Sequence, residues 1–111
     1  MGAAEPPFFM VKEGEILIKQ PWEQYYLGFN LAKRIGNRTI DEVEIIAMLD
    51  GEDVTKDVID EDKTYFADHR VYFWHNQSDE GIYHITCRAI LTDGSYYEED
   101  GRLKVMEIEV A

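Results

Sequence analysis

Three histidines are the residues of this 111-residue sequence best suited to metal chemistry. His75 and His84 would face each other if the segment between them closed a simple hairpin, and paired imidazoles can bind zinc. That pairing would turn Val71 and Phe73 outward, and it disappears if the two strands belong to different sheets. We therefore predict no metal site. We interpret His69, His75 and His84 as surface histidines.

Carboxylates are a second group of residues that could bind a metal ion or catalyse a reaction. Oxygen ligands at loop ends of a β-sandwich can hold calcium, but no cluster here has the spacing of an EF-hand loop. Paired carboxylates also cleave glycosides, yet nothing in the sequence selects one pair. Calcium or carbohydrate binding stays an alternative, and solvated turns are the simpler interpretation. The acidic clusters lie at 50–53, 60–62 and 98–100.

The remaining residues give no sign of an enzyme. Cys87 is the single cysteine, so it cannot form an internal disulfide. It falls on the apolar side of a predicted strand, which favours a small buried hydrophobic residue over a catalytic thiol. The sequence contains no Gly-x-Ser-x-Gly, no phosphate-binding loop and no Cys-x-x-Cys. We predict a non-enzymatic protein without a cofactor.

The composition describes one acidic domain that folds alone. Its length allows a single core, and 45% hydrophobic with 13% aromatic residues excludes a disordered chain. A net charge of −12 repels phosphate and anionic lipid, which argues against nucleic-acid and membrane partners. The same charge leaves one alternative, an acidic DNA mimic that inhibits a DNA-binding protein. The start resembles no secretory signal, so we expect cytoplasmic synthesis.

The segment 79–92 organises the predicted fold. Its odd positions from Tyr83 to Leu91 are all apolar, whereas most even positions are polar, which indicates a half-buried β-strand. The spacing Asp79-x-Gly81-x-Tyr83 is that of a tyrosine corner, in which the phenol bonds backbone just upstream. These three residues are predicted to be structural.

Further strands recur at intervals of about ten residues, separated by Gly, Asp, Asn and Pro turns. The segment 39–49 also fits an amphipathic helix, but its β-branched residues favour a strand. The fold class is therefore all-β, a single immunoglobulin-like sandwich of about seven antiparallel strands with Greek-key connections. Residues 14–111 form this domain, and 1–13 form a flexible N-terminal arm. The other strands are predicted at 15–19, 25–31, 53–63 as a charged edge strand, 70–75, 95–99 and 103–110, with a turn or bulge at Asp100-Gly101 and a further bulge near 105 or 106.

Aromatic residues are the best candidates for contacting a partner. If Phe73 faces the core, Tyr72 and Trp74 face outward; the alternative reverses the two faces and makes Trp74 a core residue. Adjacent tyrosines likewise point to opposite faces. Tyr and Trp are favoured interface anchors. The predicted partner contacts are Phe8, Phe9, Tyr72, Trp74, Tyr96 and Tyr97.

Motifs between residues 25 and 105 carry a family resemblance. They are the Tyr25-Leu27-Phe29 run, Thr39 to Ile45, Asp53-Val54-Thr55, Glu80 to Ala89, Leu91-Thr92-Asp93-Gly94 and Leu103-Lys104-Val105. Together they resemble a family of single-domain immunoglobulin-like proteins from phage and prophage structural regions, including fibre-tail adaptor-like proteins.

The resemblance implies a structural or adaptor role in a virion tail or head, exercised through protein contacts, with a homo-oligomer as one form. It brings no catalytic residues. The implied location is the cytoplasm on synthesis and the virion after assembly.

Overall fold

The computed structural model describes the backbone of residues 8–10 and all atoms of residues 16–108. Within these residues the chain forms nine strands and two four-residue helices. In chain order they are β1 (Phe8–Met10), β2 (Ile16–Lys19), β3 (Tyr25–Asn30), α1 (Ala32–Ile35), β4 (Ile40–Leu49), β5 (Glu52–Asp53), α2 (Thr55–Val58), β6 (Ile59–Ala67), β7 (Arg70–His75), β8 (Gly81–Leu91) and β9 (Tyr96–Val105).

The strands form two sheets that enclose one core. Sheet A has the order β1-β3-β7-β6, and sheet B has the order β2-β9-β8-β4-β5. Neighbouring strands run antiparallel except in two pairs, β1 with β3 and β2 with β9, which are parallel. The fold is thus an all-β sandwich, as predicted. The described residues contain nine strands where about seven were expected.

Period-two alternation builds the core. In β8 the odd positions from Tyr83 to Leu91 are all buried, as the sequence predicts. Leu27 and Phe29 of β3 and Phe73 of β7 meet them from sheet A. Each large side chain moved from water into this interior contributes about 1.5–3 kcal/mol.

The segment 39–49 is a strand, as predicted, and not a helix. Ile45 and Ala47 are buried in β4, and their neighbours in the chain are not. The period of a helix, about 3.6 residues, would have buried a different set. Its long pairing with β8 makes these two strands the centre of sheet B.

The single edge strand predicted at 53–63 is wrong in its bounds. This stretch contains the last residue of β5, all of α2 and only the beginning of β6, which runs to Ala67 as an edge of sheet A. The cause is local turn chemistry. Asp53 Oδ1 accepts hydrogen bonds from Thr55 N at 2.9 Å and Thr55 Oγ1 at 2.6 Å, which bends the chain into α2.

The break predicted at Asp100-Gly101 is also wrong. β9 continues through both residues, and Gly101 pairs with Ile85 on the core side. The alternation slips after Val105 because the strand ends there, without a bulge. Gly36, by contrast, lies in the predicted turn with a φ of 60°, a conformation that suits glycine.

The flexible arm at 1–13 stays a prediction. Residues 1–7 and 11–13 lie outside the described residues, and Phe8–Met10 are described as strand β1 beside β3.

Candidate functional site

Four aromatic side chains form a contiguous cluster on the outward side of sheet A. We call this cluster the aromatic face. Val71, Phe73 and His75 of β7 are buried, so the alternating Tyr72 and Trp74 point away from the core, as predicted. The aromatic face comprises Tyr26 of β3, Tyr65 of β6, and Tyr72 and Trp74 of β7.

Strand register brings the four rings together. Tyr26 lies opposite Trp74, and their ring centroids are 5.1 Å apart at 85°. Tyr65 lies opposite Tyr72, with the rings stacked at 4.7 Å and 14°. Tyr26 and Tyr65 close the set edge-on at 5.6 Å. Pairs of this geometry add about 0.5–1.5 kcal/mol each beyond their buried area.

Lys63 completes the aromatic face through an irregularity in β6. Five residue steps from Asp60 to Tyr65 oppose only two steps of β7, so this part of β6 bulges away from its neighbour. Lys63 in the bulge places its Nζ 4.1 Å from the ring centroid of Trp74. Its ammonium thereby covers one face of the indole.

The two other predicted tyrosines lie elsewhere. Tyr96 is 54% exposed on the outward side of sheet B, and its hydroxyl donates to Glu98 at 2.8 Å. Tyr97 packs against the core under the guanidinium groups of Arg34 and Arg38, whose Cζ atoms lie 5.2 and 4.9 Å from its ring centroid. The side chains of Phe8 and Phe9 fall outside the described atoms.

The predicted tyrosine corner is present. The Tyr83 hydroxyl donates to the backbone carbonyl of Asp79 at 2.8 Å. Gly81 between them has a φ of 153°, and an added Cβ would lie 2.7 Å from Leu49 Cδ1. Glycine is therefore favoured here by the backbone conformation, while a Cβ would also require the Leu49 side chain to shift.

The surface location predicted for His75 is wrong. His75 alternates with the buried Val71 and Phe73 along β7, so it points inward and meets Tyr83 of sheet B edge-on at 5.6 Å. Within the described residues neither ring nitrogen has a hydrogen-bond partner. Burial lowers the pKa of His75 to about 3, and the nearby Lys19 adds to this. His84 is exposed and His69 half-buried.

Lys19 is a buried cation that the sequence analysis missed. Its Nζ donates to three backbone carbonyls, those of Gln20 at 3.3 Å, Asn76 at 3.1 Å, and Glu23. Burial lowers the pKa of Lys19, and the charge of Glu23 opposes this. The ammonium joins the end of β2 to the segments before β3 and after β7. Its donors serve structure, which leaves none aimed at a ligand.

The single cysteine is unsuited to nucleophilic chemistry, and the described part of the chain assembles no metal-binding cluster. Cys87 is buried, and this burial raises the pKa of its thiol to about 12, with Glu99 adding to the shift. A thiol in this state is a poor nucleophile. Residues 16–108 hold no group of three or more His, Cys, Asp and Glu side chains that could bind a metal ion. No helix among them has the length and apolar character to cross a bilayer.

Comparison of the chain with protein-family models and with curated proteins finds no match to either.

Proposed function

We propose that this protein is a non-enzymatic structural or adaptor module that binds another protein through its aromatic face. One observation carries the proposal: four aromatic rings lie together on the outward side of sheet A. Single exposed apolar residues are ordinary on soluble proteins, whereas a contiguous apolar patch marks an interaction site. Tyr and Trp are the residues that most often dominate binding energy at protein interfaces.

The ring arrangement favours a protein ligand over a sugar. Sugars bind aromatic residues by lying flat on an open ring face. Here Tyr65 and Tyr72 cover each other, and Lys63 covers one face of Trp74. Tyr65 is still 47% exposed, so ring edges and hydroxyl groups are offered to a partner. Such mixed apolar and polar surfaces suit protein side chains.

The acidic surface would make this binding selective. The net charge of −12 repels nucleic acid and other acidic proteins. A partner with apolar anchors and a neutral or basic rim meets the least resistance, because like charges at a rim are unfavourable.

We further propose an immunoglobulin-like topology. In that fold one sheet has the order A-B-E-D and the other contains C-F-G. The order β1-β3-β7-β6 and the central run β9-β8-β4 correspond to these sheets if β3 is B and β8 is F, with the difference that β1 runs parallel to β3. The tyrosine corner at Tyr83 also falls on the strand that would be F. Both features support the immunoglobulin-like topology. The resemblance to phage and prophage adaptor-like proteins rests on the sequence motifs, and from it we propose a partner in a virion tail or head.

Site-specific photo-crosslinking tests the function. Tyr65 is replaced by photoreactive p-benzoyl-phenylalanine in cells that make the chain with its natural neighbours, and cross-linked proteins are identified by mass spectrometry. We expect one dominant partner, a virion structural protein. The matched control carries the same photoreactive residue at Ile82, which is 44% exposed on the outward side of sheet B.

Two results would contradict the proposal. One is equal cross-linking from both positions. The other is cross-linking to a basic DNA-binding protein, which would favour the inhibitor alternative. Light scattering of the purified protein across a wide concentration range distinguishes a partner protein from a second copy of the chain.

A further inference from the structure

Six of the ten residues of β4 form an open strand edge. β4 pairs with β8 along its length, but on its other side β5 pairs only with Met48 and Leu49. Among the residues the structure describes, no strand pairs with this side of residues 41–46. An open edge offers unpaired backbone groups to another chain.

The hydrogen bonds of Ala47 reveal which backbone groups point to this edge. Its N–H donates to Thr55 Oγ1 at 2.9 Å, and its carbonyl accepts from Val54 N at 2.9 Å. Both bonds leave β4 on the side away from β8. Because backbone direction alternates along a strand, Val43 and Ile45 point their N–H and C=O groups to the same side.

A groove follows this edge between β4 and β6. Its first part has a volume of about 720 Å³ and runs between the 41–44 and 64–66 segments. A second part of about 650 Å³ continues along 44–46 toward α2. Together they accompany the whole open length of β4, which suits an extended segment of about six residues.

The core is incomplete beside the groove. Phe66 pairs with the buried Val71, so it lies on the core-facing side of sheet A, yet it is 36% exposed. Val43, which points inward from β4, is only half-buried. Sheet B extends no further than β4 at this point. An added strand would cover both side chains with its own inward-facing residues.

The charges along the groove determine what kind of strand fits. Six acidic residues line its two parts against two basic residues, and one of these, Arg88, already pairs with Glu44 at 3.3 Å and Glu98 at 2.8 Å. A second copy of the chain would bring its own acidic edge against this one, which is unfavourable. The acidic residues are Asp41, Glu42, Glu44, Asp53, Asp57 and Glu61, and the other base is Lys56.

We propose that the open edge of β4 binds an extended basic segment of another protein by strand addition. The segment alternates apolar residues, which pack on Val43 and Phe66, with Lys or Arg, which approach Glu42 and Glu44. Main-chain hydrogen bonds provide affinity, and the alternation provides specificity. This site goes beyond the aromatic face, from which only Tyr65 reaches the groove.

The test uses a capped hexapeptide that alternates lysine and valine. Its control has the same composition, with three lysines followed by three valines. In two-dimensional NMR of the full chain, we expect the alternating peptide to shift the amides of Val43 and Ile45 and to slow their hydrogen exchange. The control peptide should bind at least about tenfold more weakly, because it cannot satisfy both faces of the strand.

Proline substitution supplies matched variants. Val43→Pro removes an N–H that points away from β8, so it spares the sheet and should weaken peptide binding at least about tenfold. Ile18→Pro is the control at the opposite edge of sheet B. Lys19 O accepts from Met106 N toward β9, so Ile18 points the other way. We expect the Ile18→Pro variant to bind the peptide as the wild type does.

Additional variants keep the test decisive. If Val43→Pro fails to fold, Glu42→Lys provides the same test through charge, with weaker binding and a smaller salt dependence expected. Trp74→Ala should leave peptide binding unchanged, which separates this site from the aromatic face.

Three results would overturn the inference. They are equal binding of both peptides, amides of Val43 and Ile45 already protected in the free protein, and a dimer that Val43→Pro abolishes. The second would mean that the chain covers its own edge, and the third that a second copy is the occupant.

Discussion

The outward sides of the two sheets present different kinds of side chain to water. On sheet B, Arg88 bridges Glu98 and Glu44, and the Thr86 hydroxyl donates to Asp100 at 2.7 Å. On sheet A, the corresponding positions of three strands carry the rings of the aromatic face. Both sheets alternate with the same period, so geometry alone does not explain the contrast.

The contrast indicates which outward side would gain more from contact with a partner. Exposed ion pairs contribute little to stability, and their charged groups remain well solvated in water. Aromatic rings gain from mutual packing and would gain more from removal of their remaining exposed area. The exposed apolar residues of sheet B, such as Ile82 and Tyr96, are interspersed with ion pairs, whereas those of sheet A are gathered into one cluster that a partner could cover. The two sides can be separated by experiment.

Acid should produce the largest difference between the sheets. His75 lies directly beneath the aromatic face, and the folded protein keeps its pKa near 3. The unfolded chain takes up a proton near pH 6.5 while the folded chain does not, so stability falls as pH drops below that point. We expect the slope to approach about 1.4 kcal/mol per pH unit.

Chemical denaturation between pH 7 and pH 5 measures this slope. His75→Leu should remove most of it. His84→Gln changes an exposed histidine of sheet B and should keep the wild-type slope. Equal slopes in all three proteins would mean that His75 is not the responsible group.

Truncation of Trp74 should give the next largest effect. Once the cross-linked partner is purified, Trp74→Ala should weaken its binding by about 2 kcal/mol or more, or roughly thirtyfold. Calorimetric titration measures the loss. Arg88→Ala on sheet B is the matched variant and should bind as wild type does. A loss shared by both variants would break the distinction between the two sides.

Removing the cation from the aromatic face should have a smaller effect. Lys63→Met keeps most of the side-chain stem but removes the ammonium above Trp74. We expect a loss of about 0.5–1 kcal/mol in the free energy of unfolding, the usual range for an exposed cation–π pair. Urea denaturation at neutral pH measures it. Lys104→Met, an exposed change on β9, should have no comparable effect.

The ion pairs of sheet B should matter least. Hydrogen bonds from Tyr96 and Arg88 lower the pKa of Glu98. Arg88→Met should therefore raise this pKa toward the ordinary value, with only a small change in stability that disappears in high salt. An NMR titration of Glu98 follows the shift. A large, salt-independent destabilisation would show that the two sides are not so different.

Local pattern was sufficient for the centre of the fold. The alternation in β8 predicted its five buried residues, and the spacing of Asp79 and Tyr83 predicted their hydrogen bond. The strand at 39–49 followed from its β-branched residues. In each case the information lies within a few residues of the chain, where backbone periodicity governs which side is buried.

Features that depend on register or on distant neighbours were missed. Tyr26 and Tyr65 join the aromatic face only because β3 and β6 both pair with β7. His75 was interpreted as a surface residue although it alternates with Phe73, because the pattern of the strand was not followed to its last residue. Lys19 is buried by carbonyls contributed from separate segments.

Turn-forming residues also gave a wrong prediction where strand pairing holds them in an extended conformation. Asp100-Gly101 has the composition of a turn, but the ladder with β8 holds Gly101 opposite Ile85. The helices α1 and α2 have four residues each, too few for a periodic pattern to appear.

The parallel pairing of β2 with β9 determines how the domain would carry load. Ile16 at the start of β2 lies beside Arg102, and Lys19 at its end lies beside Val105, where β9 finishes. A pull applied before β2 and after β9 therefore draws the two strands in opposite directions along their length. The hydrogen bonds between them are strained together in shear, whereas a hairpin pulled at its open end unzips one bond at a time. The geometry makes this pair a mechanical clamp at one edge of sheet B.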